Sequence, residues 1–266
     1  MKKIKGKFKL AVMAIVVMGL VVAGGQIPAK GADQYTMRDL NEQLVMATLW
    51  MQTSAEFRAL CYQTFNLAKM NLDMFLTAHT GSKTVAVIVD ADETMIDNSA
   101  YEAFLVGKDF GYSSKTWTPW MAAAQATAIP GALEFLNYAN KKGVEIFYVT
   151  NRKMVGYDGT EKNLKALGFP DVDKKHLLLR TGSSDKQERR DIVAKDYEIA
   201  FLMGDNLNDF ASVFAKNRLP TALPKSIKSR IRGAKNSSYF QTRLMANGKG
   251  LSIKATGAPA QPKRTR

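Results

Sequence analysis

Cysteine is nearly absent from this 266-residue chain: Cys61 stands alone, so no internal disulfide can form and the fold must rest on its core. Histidine is almost as scarce. His79 and His176 leave little room for a zinc site or a His-centred triad, and each reads as a surface or loop residue. Proline does not occur between residues 35 and 80, which leaves that stretch open to helix. The apolar run Leu10–Ala23 has 14 residues, short of the roughly 20 that a membrane-spanning helix needs. Acidic side chains are missing from the end of the chain: residues 210–266 carry 13 basic groups and no acid, whereas residues 1–209 carry 25 basic and 24 acidic groups. The net charge of +14 therefore belongs to the tail. That tail also lacks the interleaved aromatics of a base-stacking platform, which argues against specific nucleic-acid binding. Its charge leaves weak contact with an anionic surface open.

The first 31 residues read as an export signal. Lys2, Lys3, Lys5, Lys7 and Lys9 precede the apolar run, and Ala29-Lys30-Gly31 fits a small-x-small cleavage site before Ala32. The expected location is secreted or extracytoplasmic, with a retained N-terminal anchor as the alternative. No cysteine lies near the site to carry a lipid.

Residues 32–82 form a helical accessory region in which apolar residues from Leu40 to Phe75 recur at three- and four-residue spacing, as one long helix or two shorter ones. Short β-branched or apolar runs then alternate with helical segments. Thr84–Val89, Val144–Val149, His176–Leu179 and Glu198–Met203 read as strands; Ala132–Lys142, Glu161–Leu167 and Lys186–Lys195 read as helices. This alternation predicts an α/β fold with a doubly wound parallel sheet over residues 83–220, accompanied by a smaller helical domain formed mainly by the N-terminal segment. Residues 221–266 read as an atypical basic tail, partly disordered.

Two acidic clusters follow two of the strands: Asp90-Ala91-Asp92-Glu93-Thr94, and Gly204-Asp205-Asn206-Leu207-Asn208-Asp209. In a doubly wound sheet the chemistry sits beyond the carboxyl ends of the strands. Carboxylates gathered there repel one another, and a hard divalent cation such as Mg²⁺ would offset that repulsion and attract phosphate.

Asp90-x-Asp92-Glu93-Thr94, Val149-Thr150-Asn151-Arg152, Ser184-Asp185-Lys186 and Gly204-Asp205-Asn206-Leu207-x-Asp209-Phe210 resemble the four motifs of the haloacid dehalogenase (HAD) superfamily. More narrowly, with Gln52-Thr53-Ser54-Ala55-Glu56, Trp117-Thr118-x-Trp120 and Ile129-Pro130-Gly131-Ala132, they resemble the class C acid phosphatases, also described as the lipoprotein e(P4) nucleotidase family. The resemblance implies a HAD-like fold and a Mg²⁺-dependent phosphomonoesterase acting on nucleoside monophosphates and similar small esters. It implies Asp90 as the nucleophile that forms an aspartyl-phosphate, and Asp92 as general acid and then base. It implies Mg²⁺ held by Asp90, the backbone carbonyl of Asp92 and Asp205, with Asp209 in support, and phosphate gripped by Thr150 and Lys186. Spacing alone does not separate Asp205 from Asp209 as the direct ligand. Trp117 is a candidate to stack on the substrate's leaving group, or else a core tryptophan, and Trp120 reads as structural. A homo-oligomer is a further expectation.

The chain departs from the family pattern in three places. Ala91 replaces a larger aliphatic residue, the lipid-bearing cysteine is missing, and the stretch Lys235–Gly250 replaces an aromatic segment that closes the substrate pocket. A shifted reading frame after Asp209 would account for the last departure and for the sudden loss of acids. Two alternatives follow: a phosphatase impaired by its altered C-terminus, or a protein that binds polyanionic surfaces through its basic tail.

Overall fold

The computed structural model describes residues 35–214 and, as backbone, residues 244–247. The export segment and, apart from those four residues, the basic tail lie outside the described residues. The central sheet has the order β5-β4-β1-β6-β7. Strands β1 (Val85–Val89), β4 (Glu145–Lys153), β5 (Leu177–Arg180) and β6 (Glu198–Gly204) run parallel, as the alternation of strands and helices predicts. The short β7 (Leu244–Asn247) adds an antiparallel edge against β6, within the segment read from sequence as tail.

All five β1 residues are buried, which is why this strand reads as an unbroken apolar run. Val85, Val87 and Val89 join Ile146 and Tyr148 of β4 in the larger core, and Ala86 and Ile88 join Phe147 and Val149 in the smaller one. The larger face is covered by α3 (Ala55–Ala78), α6 (Ala132–Lys141) and α7 (Tyr157–Leu167), and the smaller by Val193 of α8 (Gln187–Asp196).

The stretch 35–80 forms three helices rather than one or two: α1 (Met37–Glu42), α2 (Leu44–Thr53) and α3. Ser54 makes the second break. Its backbone is extended, and its Oγ accepts the Phe57 N–H at 3.1 Å. This is an N-cap of the kind whose replacement by alanine costs about 1 kcal/mol. Phe57, Cys61, Phe65, Ala68 and Leu72 form one face of α3 and pack into the larger core, so α3 is a layer of the sheet domain itself.

The N-terminal segment enters the smaller helical region through α1 and α2. Asn41 Nδ2 donates to the carbonyls of Lys108 and Phe110, both at 2.9 Å, and Gln52 Nε2 donates to Ser99 Oγ at 3.2 Å. That region is completed by α4 (Ser99–Leu105) and α5 (Ser114–Ala123), which lie between the two strands of a short antiparallel ribbon, β2 (Ile96–Asp97) and β3 (Thr127–Ala128). Helix α5 rests on α7 at Gly159, where an added Cβ would stand 2.2 Å from the Met121 carbonyl oxygen. Only glycine permits that approach of backbone to backbone.

His176 is a loop residue, as one of the two sequence readings has it, in the turn before β5, but it does not lie at the surface. It is 6 % exposed, with Nδ1 at 2.8 Å from Asp173 Oδ1, Nε2 at 2.9 Å from Glu145 Oε2, and the Phe147 ring 4.8 Å away. Carboxylates on either side supply the polar partners that allow a histidine to be buried here.

Candidate active site

Asp90 follows β1 directly, and its N–H donates to the Met203 carbonyl of β6 at 2.9 Å. The side chain is buried. Thr94 Oγ1 donates to its Oδ2 at 3.3 Å, and the Lys186 ammonium contacts its Oδ1. Lys186, 2 % exposed, also reaches Asp209 Oδ1 at 2.7 Å, and Asp209 Oδ2 accepts the Asn206 N–H at 3.0 Å. The loop after β6 thus folds back under the site. Gly204 makes this possible, because a Cβ there would stand 2.4 Å from Asp209 Cβ.

Asp90, Asp205 and Asp209 each offer a carboxylate oxygen, and these atoms all lie within 4.8 Å of one another. The site thereby sets three carboxylates against the one ammonium of Lys186. That crowding shifts the acidity of the groups involved. Burial pushes the Asp90 carboxyl well above its ordinary value, against the pull of Lys186 and with the help of Asp209, Asp205 and Asp92. Asp205 is pushed up to about 7, chiefly by burial and then by the charge of Asp209. Burial works against the Lys186 ammonium, but Asp90 and Asp209 outweigh it and hold that pKa above the usual lysine value. An all-oxygen, over-negative and largely dry cluster fits a hard divalent cation.

Asp92 is held beside this cluster by a separate network. Arg152, 2 % exposed, directs Nε and Nη2 at Asp92 Oδ1 (2.9 and 2.7 Å), and Nε also reaches Oδ2 at 3.2 Å. Asn98 Nδ2 donates to Asp92 Oδ1 at 2.9 Å and to Glu93 Oε1 at 3.0 Å. Trp120 Nε1 donates to Asn98 Oδ1 at 2.8 Å, which gives the structural reading of Trp120 a partner. Glu93 bends the loop with a left-handed φ of 57°, a conformation uncommon for a residue with a side chain and concentrated at functional sites.

Thr150 is fully buried on β4, one strand over from Asp90. Its Oγ1 accepts the Arg152 N–H at 3.1 Å, and Arg189 donates to its carbonyl. The strand itself runs on through Thr150 to Lys153 rather than stopping at Val149. Trp117 of α5 is half-buried in an aromatic cluster, edge-on to Tyr101 at 4.8 Å and 5.7 Å from Tyr112. The Arg152 guanidinium lies 5.4 Å from the centre of its ring.

Comparison with known proteins gives the same direction. A family described as HAD superfamily, subfamily IIIB (acid phosphatase) matches residues 27–242. The solved structure of the class C acid phosphatase from Bacillus anthracis is 37% identical, covers 75% of this chain and 81% of its own, and superposes with a TM-score of 0.65. A tungstate-bound structure of the class C acid phosphatase from the same organism is 36% identical at the same coverage, with a TM-score of 0.64. The chain belongs to this acid phosphatase family. It is a phosphoric monoester hydrolase with a HAD-like fold.

In this acid phosphatase the structure gathers Asp90, Lys186, Asp205 and Asp209 at one point, with Asp92 alongside, Thr150 on the neighbouring strand and Trp117 above Arg152. Sequence reasoning gave no role to Arg152, Arg189 or Arg190. Arg152 lay within a quoted motif, but its partner is 60 residues away in sequence. Arg189 and Arg190 are buried at three and four residues after Lys186, on the same side of α8, and Arg190 Nη1 holds the Asp209 carbonyl at 2.8 Å. That spacing was a usable signal.

Proposed function

We propose that this acid phosphatase is an extracytoplasmic, Mg²⁺-dependent phosphomonoesterase that removes phosphate from nucleoside monophosphates and similar small esters through an aspartyl-phosphate on Asp90. The convergence of Asp90, Asp205 and Asp209 with Lys186 carries the reading. Asp90, the Asp92 backbone carbonyl and Asp205 would hold the cation. Asp209, whose two oxygens are engaged by Lys186 and the Asn206 amide, supports from behind. When bound, Mg²⁺ supplies positive charge to the phosphoryl oxygens and relieves the repulsion among the carboxylates.

The remaining chemistry belongs to side chains. Asp90, at the strand tip, presents a carboxylate oxygen to phosphorus. Lys186 and Thr150 neutralise and position the phosphoryl oxygens, the main requirement of phosphoryl transfer. Asp92 donates a proton to the leaving oxygen and later accepts one from the hydrolytic water. Trp117, in its aromatic cluster, is the proposed platform for a nucleobase or aromatic leaving group. Export rests on the N-terminal sequence alone; among the described residues no helix is long and apolar enough to cross a membrane. The exposed side chains of Leu60, Leu67, Met70 and Met74 along α3 support assembly as a homo-oligomer. The basic tail, outside the described residues save 244–247, is proposed as a weak contact for anionic surfaces.

The test is phosphate release from a panel of nucleotides and simple alkyl phosphates by the full chain, with Mg²⁺ and with chelator. Turnover should require the cation and vanish in Asp90→Asn, and Trp117→Ala should raise KM for nucleotides more than for alkyl phosphates. Undiminished turnover in chelator or in Asp90→Asn removes the mechanism.

A further inference from the structure

Asp92 lies in a cage whose donors are unequally shared between its two oxygens. Oδ1 receives three N–H groups: Arg152 Nε at 2.9 Å, Arg152 Nη2 at 2.7 Å and Asn98 Nδ2 at 2.9 Å. Oδ2 receives only a longer contact from Arg152 Nε at 3.2 Å. An oxygen surrounded by three donors has no lone pair left for a proton, whereas Oδ2 retains that capacity. The donors are themselves fixed. Arg152 Nη1 donates to Thr160 Oγ1 at 3.1 Å, and that hydroxyl spends its own hydrogen on the Gly156 carbonyl at 2.7 Å. Asn98 Oδ1 accepts from both Arg152 Nη2 at 3.1 Å and Trp120 Nε1 at 2.8 Å, so its amide can point only one way. The Arg152 side chain is 1 % exposed, and that of Asp92 22 %.

We propose that Arg152 is the positioning residue for Asp92, turning Oδ2 toward the substrate as the oxygen that carries the transferred proton, with Asn98 and Trp120 holding the fork in place. The proposal rests on the reading of Asp92 as general acid and adds which oxygen acts and what aims it. As an Asp90 oxygen bonds to phosphorus, the ester P–O bond breaks and its electron pair stays on the leaving oxygen. The Oδ2 proton of Asp92 passes to that oxygen to give the alcohol. In the second half, Oδ2 takes a proton from water as the water oxygen bonds to phosphorus, inorganic phosphate leaves, and the Asp90 carboxylate is restored. Lysine could keep the charge at residue 152, but one ammonium cannot reproduce a planar fork onto Asp92, Asn98 and Thr160 together.

The leaving group provides the readout. A poor leaving group such as an alkoxide needs the proton, and 2,4-dinitrophenolate does not. For Arg152→Lys, kcat/KM on an alkyl phosphate should fall by about 100-fold, the lower end of general-acid contributions, while kcat/KM on 2,4-dinitrophenyl phosphate should change by less than about threefold. Asn98→Ala should tilt the ratio in the same direction by a smaller factor. Because the ratio is taken within one preparation, partial misfolding of a variant cancels from it. Asp92→Asn is the companion variant. If Asp92→Asn is leaving-group selective and Arg152→Lys is not, Arg152 is merely structural and the proposal is wrong. If Asp92→Asn also depresses both substrates equally, the general-acid reading of Asp92 fails and takes the proposal with it.

Discussion

Removing the divalent cation should make this acid phosphatase less stable as the pH rises, the reverse of what the ion-paired Glu145 dictates. Burial, and then the charge of Asp209, push the Asp205 carboxyl up to about 7 from an ordinary value of 3.8. An acid whose folded pKa is raised binds its proton more tightly in the folded state, so its contribution to stability falls as pH climbs from about 4 to about 7 and the full penalty is present above that. Three pKa units correspond to roughly 4 kcal/mol. Asp205 keeps part of its surface in water, and screening reduces the expected cost to on the order of 2 kcal/mol. For a domain of this size that is a fall in Tm of about 4–8 °C. The assay is a thermal melt in chelator and in excess MgCl₂ at pH 5, 6, 7 and 8, for the natural chain and for Asp205→Asn. The gap between the two conditions should widen with pH in the natural chain, and the metal-free slope should become shallower in Asp205→Asn, which removes one of the raised carboxyls and leaves Asp90. A metal-free Tm that holds or rises from pH 5 to 8, or an Asp205→Asn variant with an unchanged slope, refutes the argument from crowded carboxylates.

Two further outcomes follow from packing and charge. Gly159→Ala should destabilise by about 1–3 kcal/mol in urea unfolding, because its Cβ would collide with the Met121 carbonyl and stand 2.9 Å from Ala122 Cα, both backbone atoms that cannot rotate aside. Glu145→Gln should cost about 1 kcal/mol at pH 7, well below the ceiling set by the shift because the group is partly exposed. Burial works to raise the Glu145 carboxyl, but hydrogen bonds from Lys175, His176 and Tyr197 together pull it down to about 2. That stabilisation is complete above the unfolded value near 4.5 and is lost as pH falls through about 2, so the natural and variant melting curves should converge in acid.

The parts of this fold that were legible in sequence are those whose signal is local. The runs at β1, β4, β5 and β6 are apolar because the sheet is covered on both faces, and the acidic clusters sit where those strands end. The break at Ser54 is carried by a capping hydroxyl rather than by glycine or proline, so the sequence leaves one helix or two open without placing the break. Helices α4 and α5 went unread because they are short, α5 contains Pro119, and their aromatics pack on one another instead of forming a regular face toward the sheet. His176 and Arg152 looked ordinary in sequence, since what makes each tolerable inside the protein is a carboxylate contributed by a distant segment. Composition can count such residues but cannot pair them.

The ribbon formed by β2 and β3 joins the two ends of the insertion that carries α4 and α5. Ile96 lies opposite Ala128 and Asp97 opposite Thr127, so the two ends of the α4–α5 excursion meet side by side on the sheet domain. A roof whose two ends meet at one doorway can be refurnished without redrawing the floor plan, provided it keeps its seats on α7 at Gly159 and on Asn41: differently furnished versions would select other alcohols over one unchanged reaction centre. Any replacement would have to bring both an amide in the place of Asn98 and an indole-like donor to hold it, without which the bracing of Asp92 is lost.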